Sequence, residues 1–286
     1  MHTNVRWMTL ALGLAWTALP QPAGADQCGD RLTIGNRRDP KTDIVALTED
    51  QRLVTIPECA PGRSREIGAV SGLTGGDTAL AGIDFRVQDG RLYGVGNAGG
   101  IYQIDTATAV ATLVSQLAPV PDDPQVGVDF NPAADRLRVV SAAAQNLRQN
   151  VIMGGTTIED ADLNYTAGMP ALGVSGAAYT NNDLDPNTDT TLFDIDATLD
   201  QLVIQSPPNA GSLVVVGKLG VDASGSVAFD IQTVPEDGIS VRNRGIAAFT
   251  AFGAPALYRV NLLTGAATFI GVLDTPLRDL ALPLVF

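Results

Sequence analysis

The sequence contains little of the side-chain chemistry that most hydrolases and metalloproteins use. Only one of its 286 residues is histidine, His2, and only two are cysteines, Cys28 and Cys59. His2 lies in a segment with the features of a removable leader, so we expect the processed chain to contain no histidine. A chain without histidine has no Ser-His-Asp triad, no Cys-His pair and no histidine-ligated metal site.

Long apolar runs are also absent beyond the N-terminus. Arg6 precedes a short apolar run over residues 7–19, and Ala23-Gly24-Ala25 follows as a small-x-small cleavage site. This order is typical of a secretory signal peptide, and the run is too short for a stable membrane span. An uncleaved N-terminal anchor is the alternative. We predict cleavage after Ala25, a secreted or periplasmic protein, and no membrane contact after cleavage.

The two cysteines have few roles open to them. In an exported chain an even cysteine count favours a disulfide, and two thiols allow one intramolecular pairing. A bridge between Cys28 and Cys59 would close a loop of about 30 residues, which stabilises the fold by about 3–4 kcal/mol in the chain-entropy model. A redox pair is less favoured because the two do not form a C-x-x-C motif. We predict a Cys28–Cys59 disulfide.

Basic residues are scarce. The chain has 18 lysines and arginines against 31 acidic residues, a formal net charge of −13, and its only lysines are Lys41 and Lys218. An acidic surface of this kind argues against nucleic acids and anionic membranes as partners. It is compatible with cation binding, although solubility of an exported protein is the simpler explanation.

A long-period repeat is what the sequence does contain. Short apolar runs begin near residues 43, 82, 127, 176, 228 and 279, between 39 and 52 residues apart. Such a period indicates stacked units that cannot bury their apolar faces alone. Glycine opens three of these runs, at Gly82, Gly127 and Gly176. We expect them to be inner strands crowded around an axis.

The repeat units contain several short β runs each and no sustained helical period. Complete units have four runs, the first unit has three, and the last consists of a single run from residue 278. One strand missing at one end and one spare at the other is typical of ring closure, which leaves no sheet edge unpaired. The sequence therefore predicts an all-β, five-bladed β-propeller over residues 43–286, closed by the C-terminal strand. We interpret residues 26–42 as a polar N-terminal arm, and we expect a monomer.

At these runs the chain resembles a known family, the bacterial domain of unknown function family 4394. The resemblance extends from about residue 43 to 286. The resemblance implies an exported or exposed bacterial protein with a propeller-like fold, and no established activity. One turn departs from the pattern, because Ala109 stands where the related turn has Gly265; if this position needs positive φ, the alanine turn is strained or differently shaped. The matching runs are 82–86 with 92–94, 127–132 with 135–141, 145–148, 178–182, and 257–261 with 264–268.

Repeated carboxylates on the inner strands are the first candidate for chemistry. Asp84, Asp129 and Asp230 follow the structural repeat. Close carboxylates can perform glycosidic acid–base catalysis or bind a cation. The alternative, which the periodic placement favours, is that they cap turns or pair with Arg86, Arg136 or Arg138 and so hold blades together.

Two further polar sets are candidates for binding an anion or a calcium ion. The densest comprises Arg136, Arg138, Gln145, Asn146 and Arg148, which either clamps a carboxylate or phosphate or supplies partners for the repeated aspartates. The second resembles a calcium loop with oxygen ligands at alternate positions, although it lacks the glycine and glutamate of that pattern, so a solvated hairpin loop is the favoured interpretation. Its candidate ligands are Asp183, Asp185, Asn187 and Asp189.

The function that the sequence favours is reversible binding at the channel mouth of the ring. Polar side chains gather where the inner strands are predicted to end, and a small polar or carbohydrate-like ligand would fit there. We expect no catalytic residue and no cofactor beyond possible calcium. The alternative is a histidine-free, carboxylate-dependent hydrolase of the glycosidase type, so the sequence leaves open whether the protein is an enzyme. The predicted ligand-binding residues are Arg86, Asn131, Tyr179, Asn181 and Asn182.

Overall fold

The computed structural model describes residues 43–185, 187–236 and 239–285. The predicted signal peptide, the N-terminal arm and Cys28 lie outside the described residues. Cleavage after Ala25 and the Cys28–Cys59 disulfide therefore stay predictions. No helix among the described residues has the length and apolar character needed to cross a membrane.

The first three blades are built from consecutive short strands. Blade 1 contains β1 (Asp43–Thr48), β2 (Arg52–Pro57) and β3 (Arg65–Ala69). Blade 2 contains β4 (Leu80–Arg86), β5 (Arg91–Gly96), β6 (Gly100–Ile104) and β7 (Ala111–Gln116). Blade 3 contains β8 (Val126–Asn131), β9 (Arg136–Ser141), β10 (Asn146–Gln149) and β11 (Thr157–Glu159).

The rest of the chain completes the ring. A small hairpin, β12 (Asn164–Thr166) and β13 (Met169–Pro170), separates blades 3 and 4. Blade 4 contains β14 (Val174–Tyr179), β15 (Leu192–Asp196), β16 (Gln201–Gln205) and β17 (Leu213–Lys218). Blade 5 contains β18 (Ser224–Glu236), β19 (Ile239–Ala251), β20 (Ala254–Val260) and β21 (Ala267–Val272), and β22 (Leu277–Ala281) follows.

The C-terminal strand closes the ring, which confirms the predicted five-bladed propeller. β22 pairs antiparallel with β1, with Ala281 opposite Val45 and Leu280 opposite Ala46. Sheet order β22-β1-β2-β3 gives blade 1 the same four antiparallel strands as each of the other blades. The first blade is thus built from both ends of the described chain.

Alternating side chains explain why these strands form and how the blades adhere. On β4, Ile83 and Phe85 point into the core shared with blade 1, while Asp84 between them points the other way. The equivalent Val128 and Phe130 of β8 pack into the core between blades 2 and 3. Five such apolar cores lie between neighbouring blades of the described ring. Burial between the blades therefore holds the fold together.

Blade 5 differs from the sequence-based expectation. The sequence predicts a short strand beginning near residue 228, but β18 and β19 each have 13 residues and form a long hairpin. Its distal part pairs Gln232 with Arg244 and continues to Glu236 opposite Ile239. That segment has no apolar repeat of its own. It is held by contacts with blade 4, which a local pattern does not contain.

The turn that departs from the family pattern is strained at Ala109, which is one of the two alternatives that the sequence left open. Ala109 has φ 59° and the corresponding Gly265 has φ 78°. Both residues are therefore left-handed, a conformation that costs a non-glycine residue roughly 1 kcal/mol or more. The alanine turn keeps the shape of the glycine turn and accepts the strain.

Gly265→Ala should strongly destabilise the protein, even though Ala109 is tolerated at the corresponding position of another turn. A Cβ at Gly265 would lie 2.4 Å from the carbonyl oxygen and 2.6 Å from the carbonyl carbon of Gly217. Backbone overpacking of this kind costs about 1–3 kcal/mol on top of the φ penalty. The matched control is Gly253→Ala, whose φ is 79° with no atom within 4 Å of the added Cβ. Denaturant titration should show a larger loss for Gly265→Ala; equal losses would contradict the proposed clash.

Candidate functional site

The inner strands of the five blades surround the ring axis and set the geometry of any site there. They are β4, β8, β14, β18 and β22. Because each blade repeats one antiparallel order, all five begin at one face of the ring and finish at the other. We call these the start face and the end face.

Three of the candidate aspartates meet at the axis, and each is bonded to the next blade. Asp84, Asp129 and Asp230 are 6%, 1% and 3% exposed. Each carboxylate accepts a backbone N–H from the inner strand of the following blade. The bonds run from Phe130 N to Asp84 Oδ2 (2.7 Å), from Tyr179 N to Asp129 Oδ1 (3.1 Å) and from Leu282 N to Asp230 Oδ2 (2.6 Å).

A fourth carboxylate, Asp279 on β22, completes this axial set, and sequence reasoning missed it. It accepts the N–H of Ile83 at 2.8 Å. Its Oδ2 lies 2.8 Å from where a Cβ of Gly82 would be, so the glycine of the neighbouring strand makes room for it. Asp279 is displaced by two residues from the repeat position, which Ala281 occupies. A search for an aspartate on the same face of every inner strand would have found it.

Burial and mutual repulsion decide the ionisation of the axial carboxylates. Burial, followed by the charge of Asp230, raises the pKa of Asp84 well above its ordinary value. Burial and then Asp84 do the same for Asp129, while burial raises the pKa of Asp230 to about 6. Burial also raises the pKa of Asp279. Neutral acids, or a cation between carboxylates, relieve this repulsion.

The axial set is the one place in the described chain where carboxylates converge closely enough for a metal ion. One oxygen from each of Asp84, Asp129 and Asp230 lies within 4.8 Å of the others. Oxygen-only donors suit Ca²⁺ or Mg²⁺. The carboxylates are buried and bonded to backbone, however, and glycosidases place theirs about 5 Å or more apart around a substrate. The arrangement joins neighbouring blades through hydrogen bonds from backbone N–H groups to carboxylates.

Among the described residues no arginine partners these aspartates, so the expected arginine pairing is wrong, although the aspartates do hold blades together as the periodic placement favoured. Arg86 makes two bonds to Asp135 of the next blade, at 2.7 and 2.5 Å, and lies 6.0 Å from the ring centre of Tyr93. Its partner is thus an end-face loop residue of blade 3. The axial aspartates accept backbone N–H groups instead of arginine donors.

Of the other predicted ligand-binding residues, Asn131 is the least engaged. Its Oδ1 accepts the N–H of Ala134 at 2.8 Å in a local turn, and its Nδ2 has no hydrogen bond to a described residue. Tyr179 is 1% exposed, and Arg138 Nε lies 3.4 Å from its hydroxyl oxygen. The side chain of Asn131 is therefore accessible for binding, whereas the side chain of Tyr179 is buried beneath the end face.

Asn181 and Asn182 form part of a wall on the end face. This end-face wall consists of residues 180–185 and 187–191 of the blade 4 loop together with residues 232–234 and 240–244 of the β18–β19 hairpin of blade 5. Asn243 Nδ2 donates to Asn181 Oδ1 at 2.7 Å, and Asn182 N donates to Thr233 Oγ1 at 2.8 Å. Asn182 Oδ1 is buried without a partner. Most of the polar atoms of these two residues join blades.

The loop that carries the candidate calcium ligands belongs to the same wall. One carboxylate oxygen of Asp183 accepts the N–H of Ser240, a residue of the hairpin, at 3.0 Å. The other oxygen accepts the N–H of Asp185 at 2.9 Å. Asp185 in turn accepts the Asn187 N–H at 2.9 Å, and Asp189 is exposed. These side chains cap their own loop and do not converge on one point. Calcium there stays a prediction.

The arginine-rich set is already satisfied by an internal carboxylate. Asp160 contacts Arg138 Nη1 at 2.7 Å and makes two bonds to Arg148, at 2.5 and 2.8 Å. Arg138 is 2% exposed and also donates to Asn146 and Asn209. The predicted anion clamp is therefore filled by the protein itself.

Asp194 is a buried acid beside that set which sequence reasoning did not identify. It is 0% exposed, and neither of its carboxylate oxygens has a hydrogen-bond partner. Burial raises its pKa to about 8, against the opposing effect of Arg138. Gln205 Oε1 on the next strand is also buried and unpartnered.

Sequence comparison identifies the chain with one family. The model described as "Domain of unknown function (DUF4394)" matches residues 52–281. No curated protein matches the sequence.

Solved structures resemble this fold at low identity. A structural genomics protein of unknown function from Bacteroides thetaiotaomicron is 13% identical with TM-score 0.49, over 85% of this chain and 67% of that one. A protein from Lactobacillus plantarum is 13% identical with TM-score 0.43, over 85% and 99%. An auxiliary nutrient binding protein from B. thetaiotaomicron is 13% identical with TM-score 0.39, over 62% of this chain; this chain spans 47% of that protein. These similarities give no information about function.

Proposed function

This chain belongs to the DUF4394 family, and we propose that it is an exported, monomeric binding module that takes a small polar or carbohydrate-like ligand at the end face. Asn131 contacts the ligand in this proposal, with Arg86, Asn181 and Asn182 around it and Tyr179 beneath. The protein performs no turnover. Calcium is a structural addition at most.

The observation that carries the proposal is the fixed polar rim of the end face. Side chains there are held by bonds between neighbouring blades, including Arg86–Asp135 and Asn181–Asn243. A polar surface fixed before binding loses little conformational entropy when a ligand arrives, so its hydrogen bonds contribute fully to affinity. Rigid elements also hold such groups more precisely than free loops do.

The competing hydrolase is less well supported because the carboxylates have another use. The axial set lies at 1–6% exposure and accepts backbone N–H groups across blades. A glycosidase needs one acid and one base that reach the same substrate. The end-face groups assigned to the ligand are instead amides and a paired guanidinium, which suit binding.

Asn131→Asp should weaken ligand binding roughly tenfold or more while leaving the melting temperature nearly unchanged. The substitution keeps the Oδ acceptor that caps the Ala134 N–H and removes the Nδ2 donor. A lost hydrogen bond to a ligand, together with an unsatisfied partner, is worth about 1–3 kcal/mol. Calorimetric titration of residues 26–286 against a panel of neutral sugars and polyols, with and without calcium, measures the effect.

The matched control is Asn97→Asp on the opposite face. Asn97 Oδ1 caps two backbone N–H groups, of Thr78 and Ala79, in the same manner. This variant should bind as the wild type does. If no member of the panel binds, or if Asn97→Asp weakens binding as much as Asn131→Asp, the end face is not the site.

A further inference from the structure

A second pair of arginines on the end-face side joins blades 5 and 1 and is arranged differently from the filled clamp of blade 3. Arg244 Nη1 lies 2.6 Å from Glu58 Oε2, and Arg259 Nη2 lies 2.9 Å from Glu58 Oε1. Arg244 also donates to Gln232 at 2.6 Å. We call Arg244, Arg259 and Glu58 the seam triad, because they lie where the ring closes.

The seam triad holds more donors than its acceptors satisfy. The Nε atoms of both arginines are buried and have no partner. One carboxylate therefore serves two guanidinium groups, and one positive charge stays uncompensated within the triad. A buried donor without a partner costs about 1–3 kcal/mol, more when it is charged.

Blade 3 supplies an internal comparison. Arg148 on β10 and Arg259 on β20 occupy equivalent positions in the third strand of their blades. Arg148 lies opposite Arg138 on β9, and Arg259 lies opposite Ile246 at the corresponding position of β19. Arg148 makes a two-bond contact with Asp160, at 2.5 and 2.8 Å, whereas Arg259 makes a single bond to Glu58. The same position is saturated in one blade and unsaturated in the other.

Solvent reaches the seam triad through Arg259. Its side chain is 32% exposed, against 9% for Arg244 and 14% for Glu58. Guanidinium groups bind carboxylates and phosphates through charge-assisted, often two-point hydrogen bonds. In a chain of formal net charge −13 the general surface repels anions, so an anion needs such a local site.

We propose that the ligand of the end face is anionic and that Arg259, with Arg244 behind it, binds its carboxylate or phosphate group. This inference rests on the proposed binding function and narrows its ligand class. Arg259 supplies the accessible donors. Arg244 adds positive charge from a buried position and keeps Glu58 in place.

The test compares acidic probes with their neutral counterparts. Galacturonate is paired with galactose, and glucose 6-phosphate with glucose, in calorimetric titrations of residues 26–286 at low and moderate salt. The acidic member of at least one pair should bind roughly tenfold or more tightly, and salt should weaken only that member. The pair that shows the difference identifies carboxylate or phosphate as the group bound.

Arg259→Gln should remove the preference for the acidic probe and leave neutral probes unaffected. Arg259→Lys should retain part of it, because the charge stays and the two-point geometry is lost. Arg148→Gln, the same change at the saturated position, should leave the preference intact.

Three outcomes overturn the inference. If neutral probes bind through Asn131 and acidic ones bind no better, the binding function stands and the anionic ligand is wrong. If Arg259→Gln lowers the melting temperature but keeps the preference, the triad only joins blades. Absence of binding by every probe overturns both proposals together.

Discussion

Removal of residues 278–286 should cost more stability than any single substitution in this protein. The segment holds most of β22, the inner strand of blade 1. Leu280 and Leu282 are 1% and 3% exposed in the core between blades 5 and 1. Burial of each leucine contributes about 1.5–3 kcal/mol, against a typical total stability of about 5–15 kcal/mol. The truncation also takes the Leu282 N–H from Asp230 and exposes the edge of β1.

Thermal melting and denaturant titration of the truncated protein measure this loss. We expect an unfolded or aggregating protein at ordinary temperatures, because an open ring presents an unpaired strand edge. A synthetic peptide of residues 276–286, added in excess, should restore part of the stability by pairing with β1. A truncated protein that melts like the full chain would show that the ring does not depend on closure.

The second large effect is on the pH dependence of stability, through Asp194. Burial raises its pKa from 3.8 to about 8, so the folded state keeps a proton that the unfolded state has already lost. Its contribution is complete below about pH 4, where both states are protonated, and falls as pH rises from 4 to 8. Each pKa unit corresponds to about 1.4 kcal/mol, so the total is several kcal/mol. The raised pKa values of the axial carboxylates act in the same direction.

Asp194→Asn should therefore match the wild type near pH 4 and exceed its stability by several kcal/mol at pH 8–9. The asparagine is neutral at every pH, so it carries no ionisation penalty in its buried position. Denaturant titrations at pH 4, 6 and 8 measure the difference, with Asp222→Asn, an exposed aspartate, as the control. Parallel pH profiles for wild type and Asp194→Asn would mean that Asp194 is ionised in the folded protein.

Much of the architecture follows from the sequence alone because it is periodic. Four strands per unit, five units and a spare C-terminal strand are properties of local alternation and turn spacing, and the structure shows all three. The position of Asp84 and Asp129 between apolar neighbours likewise placed both on the inner face of their strands. Periodicity reveals these features since every repeat obeys the same packing constraint.

The partners of those side chains were decided only by the closed ring. Asp84 bonds a backbone N–H 46 residues away, and Arg244 meets a glutamate 186 residues away. Such pairs depend on how blades are turned against each other, and two residues distant in sequence carry no local pattern that links them. The same reason explains Asp279, whose two-residue offset matters only beside Gly82 of the next blade. The long β18–β19 hairpin and the unpartnered oxygens of Asp194 also arise from contacts between blades. The sequence by itself thus determined the number of blades and their four-strand pattern, while tertiary packing decided the length of the β18–β19 hairpin, which polar groups bond and which stay unsatisfied.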